Sequence, residues 1–80
     1  MDQNIYDRIG TLLTTRFGVQ QHELSPEVTL ENLRFDSLAL LEFALAIEES
    51  FGTPIDAEEL SPVHTLESTV ELVAAKGVTV

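Results

Sequence analysis

Cysteine is absent from this sequence, and Lys and Arg together number only 4. The first absence excludes disulfides, thiolate metal sites and a cysteine nucleophile, and leaves thiol usage silent on the compartment. The second, set against 14 Asp and Glu for a net charge of −10, speaks against nucleic acid as a partner, whose phosphates require basic contacts. It speaks equally against anionic membrane surfaces. No apolar run approaches the roughly 20 residues of a membrane span. The start, Met1-Asp2-Gln3-Asn4, has neither a basic region nor an apolar one, so no signal peptide is expected and a soluble, cytoplasmic chain is. What remains is 80 residues with an apolar share of 44%, which fits a single globular domain, residues 1–80. A domain of this size buries only about 60% of the surface its unfolded chain exposes, so its stability is modest.

The acids are unevenly spread. Between Asp36 and Glu59 stand seven of them (Asp36, Glu42, Glu48, Glu49, Asp56, Glu58 and Glu59) with no Lys or Arg. Such a run is either a solvated face that keeps a small protein soluble or a docking surface for basic partners.

The chain carries no repeat, linker or low-complexity tract. Ile5, Ile9, Leu12, Leu13 and Phe17 recur at helical spacing and predict a first helix from about Gln3 to Phe17, capped by Asp2 or Asn4 and stopped by Gly18. A connection from Gly18 to Asp36 comes next, long for a compact domain. Leu24, Val28, Leu30 and Leu33 pin it to the bundle, and Ser25-Pro26-Glu27 marks a turn within it. A second helix is predicted from Ser37 to Phe51, stopped by Gly52 and Pro54, then a short one at Ala57–Leu60 cut by Pro62. The last helix, Leu66 to Ala75, has Thr65 as its cap and Gly77 as its stop, with Val63, Leu66, Val70 and Val73 as an inward stripe and a frayed tail at Val78-Thr79-Val80. No segment alternates like a strand. The expected fold is all-α: a small four-helix bundle of three main helices and one short helix, with a long first loop.

The second helix is more apolar than a core needs. At about 100° per residue, Phe43, Ala44, Ile47 and Phe51 fall on the side of Leu40, which suffices for a core stripe. Leu38, Leu41 and Leu45 cluster elsewhere, with Glu42 and Glu49 along one edge and Glu48 along the other. Either the helix is buried on two sides or this second patch is a docking face, apolar in the middle and acidic at the rim.

Ser37 stands where the loop becomes helix. Asp-Ser before an apolar helix is ordinarily just a cap. A hydroxyl here, however, also faces the free backbone N–H groups and the positive end of the helix dipole, where an attached phosphodiester would be favourably placed. Asp36 beside it is placed to support such an attachment.

The stretch Leu33-Arg34-Phe35-Asp36-Ser37-Leu38 resembles the Leu-Gly-x-Asp-Ser-Leu attachment motif of acyl carrier proteins. Glu42, Ala46, Ile47, Glu48, Glu49 and Phe51 fall in step with the family's second helix. Ile55, Asp56, Glu58 and Glu59 resemble its third-helix entry, and Thr65-Leu66 with Val70 through Val73 its last helix. The resemblance covers nearly the whole chain. It implies that a phosphopantetheinyl transferase, using coenzyme A and magnesium, attaches 4′-phosphopantetheine covalently to Ser37. It implies that the thiol of that arm holds acyl groups as thioesters and that the chain has no catalytic residues of its own. It also implies that acyltransferases, ligases or ketosynthases dock on the second helix, at Leu38, Leu41, Glu42, Leu45 and Glu48. A monomer is expected.

Two departures stand out. Arg34 occupies the place of the motif's usual Gly, so the turn before Ser37 is not expected to depend on a glycine conformation. Ala39 stands where fatty-acid carriers usually have an acid, making the docking face more apolar at its top. This points to a discrete carrier of polyketide or related specialised metabolism. An aminoacyl or peptidyl carrier is the alternative; such carriers usually have Gly-Gly before the serine region and a less acidic second helix. An enzyme is the other rival. His22 and His64 have no second His or Cys at ligand spacing, and Glu48 and Glu49 face different directions, so neither pair makes acid–base machinery. No residue declares the cargo; Phe35, Ile55 and Leu66 are the side chains against which a short acyl chain could shelter.

Overall fold

The computed structural model of the chain describes residues 1–77. Three helices carry the architecture: α1 (Gln3–Arg16), α2 (Ser37–Phe51) and α3 (Leu66–Ala75). Each begins on a side-chain cap that the sequence supplies. Asp2 accepts from the Ile5 N–H, Asp36 from the Ala39 N–H and Thr65 from the Ser68 N–H, satisfying donors that a helix start otherwise leaves orphaned. Of the two residues offered for the first cap, it is Asp2 that serves. Helix α1 stops one residue earlier than its apolar spacing indicates. Phe17 is its C-cap, and Gly18 at φ 69° turns the chain so that the Val19 N–H returns to the Leu13 carbonyl at 3.0 Å.

The all-α class is as expected, but the fourth helix is not a helix in the full sense. Ala57–Glu59 is a single 3-10 turn, held by reciprocal bonds between the Asp56 and Glu59 ends, among them Asp56 N–H to Glu59 Oε2 at 3.0 Å. Confined between Pro54 and Pro62, the segment is too short to recover the cost of nucleating an α-helix. A second 3-10 turn, Gln21–Glu23, lies in the first loop. The expected fraying of Val78–Val80 falls outside the described residues.

The core is continuous. Ile5, Ile9 and Leu13 of α1 meet Leu40, Phe43, Ala44 and Ile47 of α2 and Leu66, Val70 and Val73 of α3. Burying each of the large side chains among these contributes about 1.5–3 kcal/mol. Val63 does not join them. It is 70% exposed, because it sits in the turn before Thr65 and not on the helix, so the 3.6-residue period that links Leu66, Val70 and Val73 does not extend back to it.

The long loop is ordered, and by more than its apolar residues. Leu30 and Leu33 are buried, and Leu24 and Val28 pack on the core. In addition the backbone zips against the approach to α3. The Leu30 N–H donates to the His64 carbonyl, Glu31 to Pro62, Leu66 to Val28 and Glu67 to Pro26, at 2.8–3.0 Å, around an isolated Thr29–Thr65 bridge. His64 closes the facing turn, its Nδ1 accepting from the Ser61 N–H at 3.1 Å. One further tie joins α1 to the end of α2. Arg8 donates to the Ser50 carbonyl at 2.6 Å and lies 4.6 Å over the Phe51 ring, capping carbonyls at the negative end of the helix.

Candidate functional site

The site is built where the first loop delivers the chain to α2. From Thr29 the backbone makes a helical turn. Thr29 Oγ1 accepts from the Asn32 N–H at 3.1 Å, and the Leu33 and Arg34 N–H groups donate to Leu30 and Glu31 at 3.1 and 2.9 Å. The turn ends at Arg34, which has φ 65°. This corrects the expectation drawn from the missing glycine: the turn does use the glycine-type conformation, and Arg34 adopts it. The physical reason lies in the next residue, Phe35. The reversal lets the Phe35 N–H return to the Leu30 carbonyl at 3.1 Å and drives the Phe35 ring into the core. There it packs against Phe17 and Phe43 with centroids 5.3 and 5.5 Å away. The left-handed conformation costs a non-glycine residue roughly 1–2 kcal/mol, which burial of one aromatic ring offsets.

With Phe35 anchored, Asp36 takes the N-cap and Ser37 the first helical position. Asp36 Oδ1 accepts from the Ala39 N–H at 2.8 Å, so the capping function suggested by either residue belongs to Asp36. Ser37 is exposed, and among the described residues its hydroxyl takes part in no hydrogen bond. The backbone N–H groups of Ser37 and Leu38 are in the first turn, where no intrahelical acceptor exists. Their dipoles and the helix dipole face the hydroxyl with positive potential.

The apolar strip of α2 begins one residue later and is open. Leu38, Leu41 and Leu45 are 64%, 46% and 51% exposed, so the reading that buried α2 on two sides is overturned. Three helices cannot cover both faces of one of their number, and the first loop zips to the approach to α3 instead. Glu42, Glu48 and Glu49 are all exposed around the strip. A border that the sequence did not reveal lies on the α1 side. Arg16, Phe17, Glu42, Leu45, Ala46 and Glu49 line an open groove of about 260 Å³, with Arg16 3.7 Å from Glu49. Only the tertiary approach of the end of α1 creates it. Phe35, Ile55 and Leu66, suggested as shelter for a cargo, are buried within the core. Among the described residues no group of three or more His, Asp or Glu converges as a metal site.

Comparison with known proteins decides the family. The model of the phosphopantetheine attachment site family matches residues 7–73. The acyl carrier protein of Rubrobacter xylanophilus is 36% identical over 72 residues, covering 89% of each chain. The chain belongs to the acyl carrier proteins. Members of this family are carriers, not catalysts, and the matched domain is the place of covalent 4′-phosphopantetheine attachment. They work with phosphopantetheinyl transferases and with the biosynthetic enzymes they serve. The donor set at the start of α2 fits that group: an exposed hydroxyl and two N–H groups without intrahelical partners suit a phosphodiester anion. Among the described residues no helix is long and apolar enough to cross a membrane.

Proposed function

We propose that Ser37 carries the phosphopantetheine arm, that residues 1–80 act as a single carrier domain, and that partner enzymes dock on the α2 strip Leu38, Leu41 and Leu45 with Glu42 and Glu48 at its rim. When bound, the arm supplies a thiol on which an acyl group rides as a thioester. The observation that carries this reading is the position of Ser37. Its exposed hydroxyl, released from capping by Asp36, opens directly onto an uncovered apolar strip. A partner seated on that strip therefore has the attachment point at the edge of its footprint. The rim carboxylates select basic partner surfaces and speed encounter with them. Asp36 supports the reaction by holding the first turn of α2 in place. Ala39, half-buried against the core where fatty-acid carriers usually have an acid, favours a polyketide or related specialised pathway over primary fatty-acid synthesis.

Co-expression with a broad-specificity phosphopantetheinyl transferase followed by intact-mass measurement tests the assignment. Wild type is expected to gain one phosphopantetheine and Ser37→Ala none. A wild type that stays unmodified, or a Ser37→Ala variant that is modified, overturns it. Mass spectrometry of the native loaded chain distinguishes acyl from aminoacyl cargo.

A further inference from the structure

Among the described residues, Arg34 is the cation that the fold leaves without a partner. The sequence has 4 Lys and Arg. Arg8 is committed to the end of α2, Arg16 lies against Glu49, and Lys76 donates to Glu59 at 2.6 Å. Arg34 is exposed and, among the described residues, forms neither an ion pair nor a side-chain hydrogen bond. This holds although acids flank it at Glu31 and Asp36, and Asp36 has one oxygen engaged in its cap. It also occupies a backbone position, φ 65°, at which glycine is the low-energy choice. A long cationic side chain that is strained on its backbone and unpaired on its head has no structural occupation here.

Resting on the assignment of the arm to Ser37, we propose that the Arg34 guanidinium contacts the phosphodiester of that arm and positions the arm's first segment at the start of α2. The two residues are separated by at most about 11 Å of backbone, and the turn that reverses at Arg34 shortens this. The ester oxygen of the phosphodiester is Ser37 Oγ itself, so the anion is held within the reach of a flexible arginine stem. A guanidinium offers forked donors that suit phosphate oxygens. It also balances a charge that attachment otherwise adds beside Asp36 in a chain already at −10. Arg34 is thus a positioning residue for the arm, not a participant in acyl transfer.

The test compares wild type with Arg34→Lys and Arg34→Gln, each in apo and holo form, with loading verified by intact mass. Lys keeps the charge, while Gln removes it at a similar backbone penalty. At low ionic strength the holo-minus-apo thermal midpoint of Arg34→Gln is expected to lie about 2–4 °C below that of wild type. Arg34→Lys should stay near wild type, and about 0.5 M NaCl should erase the difference. The ³¹P resonance of the phosphodiester should move in Arg34→Gln and move less in Arg34→Lys. Arg34→Gly is the conformational control, raising the apo midpoint while losing the holo increment. Equal holo-minus-apo midpoints and an unmoved ³¹P resonance in Arg34→Gln overturn the proposal while loading itself succeeds. A Gln variant that cannot be loaded when Lys can assigns the positive charge at position 34 to recognition by the transferase and also overturns it. A wild type that gains no mass removes the assignment on which the proposal rests.

Discussion

Asp36 and Ser37 are adjacent carboxylate- and hydroxyl-bearing residues, each able to cap a helix, and the fold separates their roles. The Asp36 side chain satisfies the Ala39 N–H at 2.8 Å, and Ser37 is left with an exposed hydroxyl that caps nothing. Replacing Asp36 by Ala should therefore cost about 1 kcal/mol of stability, read as a lower midpoint in urea or heat. Asp36→Asn, an equally good cap without charge, should retain most of that stability. If Asp36 supports attachment only through the helix start, the Asn variant will load at near the wild-type rate and the Ala variant more slowly. Loading kinetics by intact mass, run beside the melts, separate the two. Equal slowing in Asn and Ala would instead assign the role to the carboxylate charge.

Helix α2 has two apolar faces with different purposes. Leu40, Phe43, Ala44 and Ile47 close the core, while Leu38, Leu41 and Leu45 stand open. Because the second set contributes little to folding, Leu41→Ala should leave the melting midpoint nearly unchanged, and Glu42→Lys, which removes an acid from the self-repelling run and adds a cation, should not lower it. Each should nevertheless lower kcat/KM for transfer from a cognate acyltransferase by about 5–10-fold, the size of a central interface contact. Unchanged kinetics in both would remove the docking assignment. The other end of α2 behaves differently: Arg8 on the Ser50 carbonyl and the Phe51 ring ties α1 to the helix far from Ser37. Loss of Arg8 is a stability effect and not a docking one.

Two electrostatic effects of opposite sign act on the whole molecule. A net charge of −10 repels itself most between Asp36 and Glu59, where no cation intervenes in the chain, and this weakens a domain whose core is small. Divalent cations should relieve that repulsion. Mg²⁺ and Ca²⁺ should raise the thermal midpoint by similar amounts at matched ionic strength. A flat response counts against the repulsion account. Acting the other way, Glu59 is held below its ordinary pKa by the hydrogen bond from Lys76 and then by the Asp56 N–H. Its folded pKa is below the unfolded 4.5, so its contribution is present above about pH 4.5 and is lost as pH falls through the folded value. Glu59→Gln should flatten that acid limb of the stability profile.

Linear pattern alone sets the three helices, the Thr65 cap, the apolar periodicity of each helix and the apolar strip from Leu38 to Leu45, and it narrows the other two caps to Asp2 or Asn4 and to Asp36 or Ser37. All of these depend on spacing and local hydrogen bonding, which the order of residues records. It does not record the features made by distant segments meeting. Val63 reads as part of a helical stripe until the turn before Thr65 points it outward. The first loop reads as pinned by its apolar side chains, yet it is also zipped by backbone bonds to residues 62–67, far along the chain. The left-handed Arg34 and the groove between Arg16 and Glu49 belong to the same class. An arginine in a glycine's place argues locally against a left-handed turn, and only the burial of Phe35 between Phe17 and Phe43 makes that conformation the favourable one.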